Sequence, residues 1–275
     1  MTGVQTCALP ISFAFVATHN HFVLDRGGKV FKQSAPVIKL PPGSTEEDHL
    51  ALLGLLNSST ACFWMKQVFH NKGYSASKSG ARTTASDWEN FFEFDGTKLK
   101  LFPLPSLAAS KQILYSHLLD NLARKRGERS VEAILTGSDW EKASSLLAFL
   151  ELRREEDMED LLRMVGFQEE LDWLCYNLYG VETQAEILEP DDVFPLRPGW
   201  RPFEISLARK DREIKKALDR GEAPSERPTA WFKRHGWEPC MDIPAEIPSH
   251  YRKLMAQRLE RTATNKNLSL LEQPT

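Results

Sequence analysis

Pro103 and Pro105 divide this 275-residue chain into two kinds of sequence. Before them, short runs rich in Val, Ile and Phe alternate with turn residues and one leucine-rich stretch. After them, apolar residues recur at helical spacing, as in Leu107, Leu114, Leu118 and Leu122, and again in Leu147, Leu150, Met158, Leu161 and Leu162. A period near 3.6 residues keeps apolar side chains on one helix face, whereas short β-branched runs bounded by Gly, Pro and Asp suit strands. The expected fold class is therefore α+β, predominantly helical: a small β-containing unit followed by a helical C-terminal region.

Phe13 to Leu24 and Lys29 to Leu40 read as strands around Asp25-Arg26-Gly27-Gly28, a turn signal that suits a hairpin. Pro41-Pro42-Gly43 closes the second run. Ser44 and Glu47 have capping-box spacing and predict a helix from about Thr45. Its Leu50, Leu52, Leu53, Leu55 and Leu56 cover most of the circumference, so this helix is expected between layers. Asn57-Ser58-Ser59 breaks it, and a second helical stretch runs from Thr60 to Phe69. His70 to Ser86 is polar and glycine-containing, a loop, and Leu99 to Pro105 reads as a short strand ended by prolines. These elements make a unit over 13–105. A helical region over 106–190 follows, its helices separated by Gly127-Glu128-Arg129 and Gly137, with a further helix from Gln168 to Tyr179 stopped by Gly180. Residues 191–275 are helical and punctuated by prolines, with helices expected at Ser206 to Arg220 and Ser249 to Thr264. Residues 1–12 stand apart: MTGVQTCALPI, residues 1–11, resembles the in-frame translation of a sequencing-adapter oligonucleotide and is left out of the fold reading.

Net charge is −3. Residues 13–105 hold 10 Lys+Arg against 8 Asp+Glu, or +2, which leaves −5 for the remainder. Any polyanion-binding surface is therefore a local patch. No apolar run approaches the roughly 18 to 20 residues of a membrane span. The four cysteines show no CxxC spacing, which argues against a zinc knuckle or a disulfide framework and fits a reducing cytoplasm. His19 and His21 share one face of a strand and could suit a metal with His49 or His70, but unsupported histidines more often serve as hydrogen-bonding or surface residues. No Ser-His-Asp or Cys-His arrangement has local support. No catalytic, cofactor-binding or metal role is assigned.

The strongest functional candidate is the stretch from His70 to Arg82. Lys72, Lys78 and Arg82 stand there with no acid until Asp87. Such cations can neutralise phosphates, while Asn71 and Tyr74 can reach sugar or base edges. Arg26, Lys29 and Lys32 would extend the surface from the hairpin. The same composition also describes a solvated loop. Phe63, Trp64, Trp88, Phe91, Phe92 and Phe94 could form a stacking platform, although their apolar neighbours favour core packing.

ALLGLLNSSTACFWMKQ (Ala51 to Gln67), KLKLFPLP (Lys98 to Pro105) and LDWLCYNLYGV (Leu171 to Val181) resemble elements of adenine-specific DNA methyltransferases of the TaqI and type IIG restriction-modification kind. ATHNHFVLDRGGKVFKQSAPVIKLP from Ala17, FEISLARK from Phe203 and WFKRHGWEPCMDIP from Trp231 resemble the methyltransferases of bacteriophage-exclusion defence systems. The resemblance implies a parent that binds S-adenosylmethionine, flips adenine out of its duplex and methylates the exocyclic nitrogen. It also implies double-stranded DNA as partner, with other defence proteins as further candidates. The chain departs from that pattern. It has no Gly-rich cofactor loop and no Asn-Pro-Pro-Tyr, and its one Pro-Pro pair, Pro41-Pro42, lacks the amide and the aromatic ring. The expectation is a DNA-recognition and support portion without a catalytic domain, binding no cofactor itself and inactive alone. A second reading, a helical interaction module of a defence complex, is motivated by the acidic, leucine-rich stretch from Trp140 to Gly180.

Overall fold

The computed structural model describes residues 9–27, 29–72, 91–105, 110–137, 139–142 and 145–272. It is α+β and predominantly helical, as expected, with two small antiparallel sheets. Two compact units are present, one built from residues up to 117 together with 174–183, the other from 118–173 and 184–274. The first unit thus takes in a stretch far beyond the boundary expected at Pro105.

In the first unit, β1 (Ile11–Phe13) lies between β3 (Phe22–Leu24) and β4 (Val37–Ile38), with Ile11 opposite both Leu24 and Ile38. Ile11, Phe13, Phe22 and Leu24 are buried while Val23 is 60% exposed, the alternation of a one-faced sheet. A second sheet has the order β2 (Val16–Ala17), β6 (Phe92–Glu93), β5 (His70–Asn71). Two or three strands are expected here around the turn at residues 25–28; the structure has four, shared between the two sheets. The run Phe13 to Leu24 is itself folded, the first strand starts at Ile11 ahead of the expected boundary, and residues 29–36 form no strand. The physical reason is that a central β1 has both edges paired and its apolar face packed, with Phe13 and Phe22 ring centroids 5.1 Å apart.

Helices α1 (Glu46–Leu56) and α2 (Ser59–Val68) follow. The capping box sits one residue later than the spacing suggested: Thr45 Oγ1 accepts the Asp48 N–H and the Asp48 carboxylate accepts the Thr45 N–H at 2.7 Å. Hydrogen bonds to Thr45 hold the Asp48 carboxyl below its ordinary value. The break between the helices is a joint. The Phe22 N–H donates to Asn57 Oδ1 at 3.0 Å, and Asn57 Nδ2 donates to the Phe22 carbonyl at 2.9 Å. Ser58 Oγ accepts from the Ala61 N–H, capping α2, and Asn20 Nδ2 donates to the Leu56 carbonyl at 2.6 Å.

The strand expected over Leu99 to Pro105 is instead a one-turn helix, α3 (Gly96–Leu99), capped by Asp95 and followed by a turn. Leu99 and Phe102 are buried, three residues apart, with Leu101 and Leu104 exposed, a turn-like period. Phe102 packs with Trp64 at 5.3 Å, and Phe69 with Phe94 at 5.1 Å, so these rings are core.

The remaining helices are α4 (Ser110–Glu128), α5 (Val131–Thr136), α6 (Leu146–Leu178), α7 (Pro202–Asp219), α8 (Trp231–His235), α9 (Ser249–Thr264) and α10 (Lys266–Leu271). Gly127 lies inside α4, and Gln168 to Tyr179 is no separate helix but largely the end of α6, which stops before Gly180 at φ +69°. The helix expected from Ser206 starts at Pro202, whose fixed φ and missing N–H suit a first turn. In the second unit Leu196, Ile205, Ile247, Tyr251 and Met255 form a buried cluster. Among the described residues no helix is long and apolar enough to cross a membrane.

Candidate nucleic-acid interface

His70 and Asn71, expected in a loop, are strand β5, paired with Glu93 and Phe92. The Lys72 N–H donates to the Phe91 carbonyl at 2.6 Å and prolongs the ladder. Lys72 Nζ is 2.6 Å from the Glu93 carboxylate and 4.9 Å from the centre of the Phe15 ring. Val16 and His70 stand opposite Glu93 on either side and are exposed, so the sheet presents a small mixed face around one cation. Tyr74, Lys78 and Arg82 lie outside the described residues, as does Trp88.

Phe15 links this face to the segment before β4. Its N–H donates to the Ser34 carbonyl at 3.1 Å, and its own carbonyl accepts from Phe94 at 2.8 Å. A turn closed by the Ala35 N–H and the Lys32 carbonyl therefore lies beside the ring that Lys72 covers. Lys29 and Lys32 are exposed. Arg26 is held elsewhere, with its guanidinium 2.5 Å from Glu46 at the start of α1. The structure thus links Lys72 to the turn at Lys32 through Phe15, whose ring lies under Lys72 and whose N–H bonds to Ser34, while Arg26 is ion-paired with Glu46. Exposed pairs such as Lys72–Glu93 are worth about 0–1 kcal/mol, so exchange of Glu93 for a phosphate has little cost.

The second unit holds a charged cluster that sequence reasoning missed. Glu169, Glu170 and Asp172 on α6 are buried. Arg201 reaches Glu169 and Asp172 at 2.7 Å each, and Arg258 grips Glu170 with both guanidinium nitrogens at 2.7 and 2.8 Å. Trp173 Nε1 donates to Glu169 at 2.7 Å, and its ring faces Arg258 at 5.1 Å. Burial pulls both guanidinium pKa values down, but the carboxylates outweigh it and lift both above the ordinary value. Burial also raises the Glu204 carboxyl against the pull of Arg201; Glu204 accepts the Gly199 and Arg201 N–H groups. The one available signal was the run Glu169-Glu170-Leu171-Asp172, acids set among residues that are all core. These three acids are thus neutralised internally, which removes them from the acidic face that motivated the second reading.

His19 and His21 ring centroids are 4.0 Å apart, with His19 bonded to Thr18. Among the described residues no group of three or more His, Cys, Asp or Glu could hold a metal ion. The strand pairs there are all antiparallel, and no described Gly-rich turn joins a parallel strand to a helix N-terminus, where a nucleotide cofactor would be cradled.

Residues 164–275 match the family described as "Domain of unknown function (DUF7008)". The chain is also 40% identical, over 272 residues, to the adenine-specific methyltransferase PglX of Streptomyces coelicolor. That likeness runs along nearly the whole chain. The match covers 97% of this chain and 21% of that protein, so the chain spans about a fifth of its relative's length. No solved structure matches it. The buried charged cluster falls within the residues that match this family, and Lys32 and Lys72 fall outside them.

Proposed function

We propose that this chain is the DNA-recognition and support portion of an adenine-specific DNA methyltransferase of a phage-defence system. Its partner is double-stranded DNA, and the S-adenosylmethionine of the parent protein is bound outside the described residues. The observation that carries the reading is the 40% identity to an adenine-specific methyltransferase over nearly the whole chain. The basic residues support it. Lys29, Lys32 and Lys72, with Lys78 and Arg82, contact phosphates and set register, while Asn71 and Tyr74 read groove edges. Arg26 contributes less because Glu46 already neutralises it.

Each phosphate contact on duplex DNA contributes a slope of roughly −0.9 in log affinity against log salt. Titration of the full chain with duplex DNA is expected to lose roughly two units of slope when Lys78 and Arg82 become Ala, and less than one more for Lys72→Ala. A slope unchanged by all three substitutions would remove these cations from the interface. Incubated with labelled S-adenosylmethionine and DNA, the chain alone is expected to transfer no methyl group. Transfer would overturn the reading.

The helical interaction module is favoured by one observation: Leu147, Leu152 and Met158 on α6 are 67%, 51% and 47% exposed. Under that reading Leu147→Glu with Met158→Glu abolishes capture of other defence-system proteins and leaves DNA affinity intact.

A further inference from the structure

The turn that carries WFKRHGW, Trp231 to Trp237, gathers three rings into one cluster, with Trp231 edge-on to Trp237 at 6.1 Å and 72°. The Trp231 and His235 centroids are 4.3 Å apart, and His235 lies nearly parallel to Trp237 at 4.6 Å and 21°. Trp231 extends the row to Phe203 at 5.9 Å. Gly236, at φ +67°, reverses the chain so that Trp237 can return onto the imidazole. Trp231 is anchored from below, its Nε1 donating to buried Glu204 at 3.2 Å.

This ring cluster is not core. Phe232 of the same turn points inward and is 6% exposed, whereas Trp231, His235 and Trp237 are each only half-buried. The core aromatics of this unit, Trp173 and Tyr251, are 1% and 0% exposed. Lys233 and Arg234 stand between the rings in sequence, Lys233 exposed and Arg234 half-buried, and Glu238 follows Trp237. Rings fixed at a surface beside cations match the needs of an unstacked base with its flanking phosphates: every base has a stackable face, and the cations answer the backbone charge.

We infer that the Trp231–Trp237 turn is a binding site for single-stranded DNA, with a base stacking on Trp237 and phosphates on Lys233 and Arg234. It shares no residue with the surface proposed for duplex DNA, so either site can fail without the other.

The test uses the full chain and a short fluorescein-labelled oligothymidylate, read by anisotropy over a salt series. Trp237→Ala is expected to weaken binding roughly tenfold, with Trp237→Phe retaining most of the affinity. Because Trp237 also packs beside Gly199, a second variant carries the test. Lys233→Gln with Arg234→Gln is expected to lower the salt slope by roughly 1.4, since each contact on a single strand contributes about 0.7. Duplex affinity that depends on Lys78 and Arg82 stays unchanged in both. The proposal is overturned if the folded chain shows no affinity for oligothymidylate, if affinity and slope are the same in the double variant, or if oligouridylate outcompetes the DNA.

Discussion

Asn57 does for Phe22 what a neighbouring strand would otherwise do, donating to its carbonyl and accepting from its N–H. The break at Asn57 is thus a fastening between sheet and helices. Removing the amide leaves both Phe22 groups to half-buried surroundings, at a cost of roughly 1–3 kcal/mol. Asn57→Ala is expected to lower the urea midpoint accordingly, and Asn57→Asp, which keeps the acceptor and loses the donor, is expected to rescue little. Arg258 is the other residue on which much depends, because it neutralises Glu170 with both side chains buried. Arg258→Met leaves a buried carboxylate without its cation, expected to cost about 3–5 kcal/mol. Adding Glu170→Leu should return part of that loss, and a double-mutant cycle in urea measures it. Strictly additive losses would show that the pair is not coupled.

At the scale of elements, α6 is read best through Gly166. A glycine inside a helix ordinarily costs about 1 kcal/mol relative to alanine, so Gly→Ala is expected to stabilise on propensity alone. Here a Cβ would sit 2.6 Å from the Phe194 carbonyl oxygen, which is backbone and cannot rotate away. Gly166→Ala is therefore expected to lower Tm, and a raised Tm would show that 193–194 does not pack against the helix. The end of α4 is tied to α6 by Arg126–Asp157, with two hydrogen bonds at 2.8 and 3.1 Å, and by Arg129–Asp160. The hydrogen bond from Arg126 holds the Asp157 carboxyl below its ordinary value. A depressed carboxylate contributes stability that is present above its unfolded pKa of about 3.9 and lost as pH falls through the folded value. Asp157→Asn should accordingly flatten the fall of Tm below about pH 4. An acid limb as steep as that of the parent chain would assign the loss to other groups.

For the whole molecule, the two units do not follow the linear order of the sequence. Residues 174–183 belong with the N-terminal unit, where Tyr179 donates its hydroxyl to the Pro103 carbonyl at 2.8 Å and its ring lies 6.2 Å from Phe102. Burial raises the Tyr179 phenol pKa above its ordinary value. A fragment of residues 13–105 lacks this cover and is expected to melt without cooperativity, read by near-ultraviolet circular dichroism. A sharp transition would count against the division. The sequence by itself determined what depends on neighbours along the chain: the helical class, the break at Asn57-Ser58, the stop at Gly180 and α9 at Ser249–Thr264, because capping and periodicity act within a few residues. It also placed Lys29, Lys32 and Lys72 among the candidate cations. Only the tertiary structure decided which strand lies beside which, that Phe15 brings Lys72 to the turn at Lys32, and that Glu169, Glu170 and Asp172 are core charges rather than a surface. The reason is distance along the chain. Arg258 finds Glu170 across 88 residues, and its charge is tolerable in the interior only because that partner, unmarked by any local spacing, is already there.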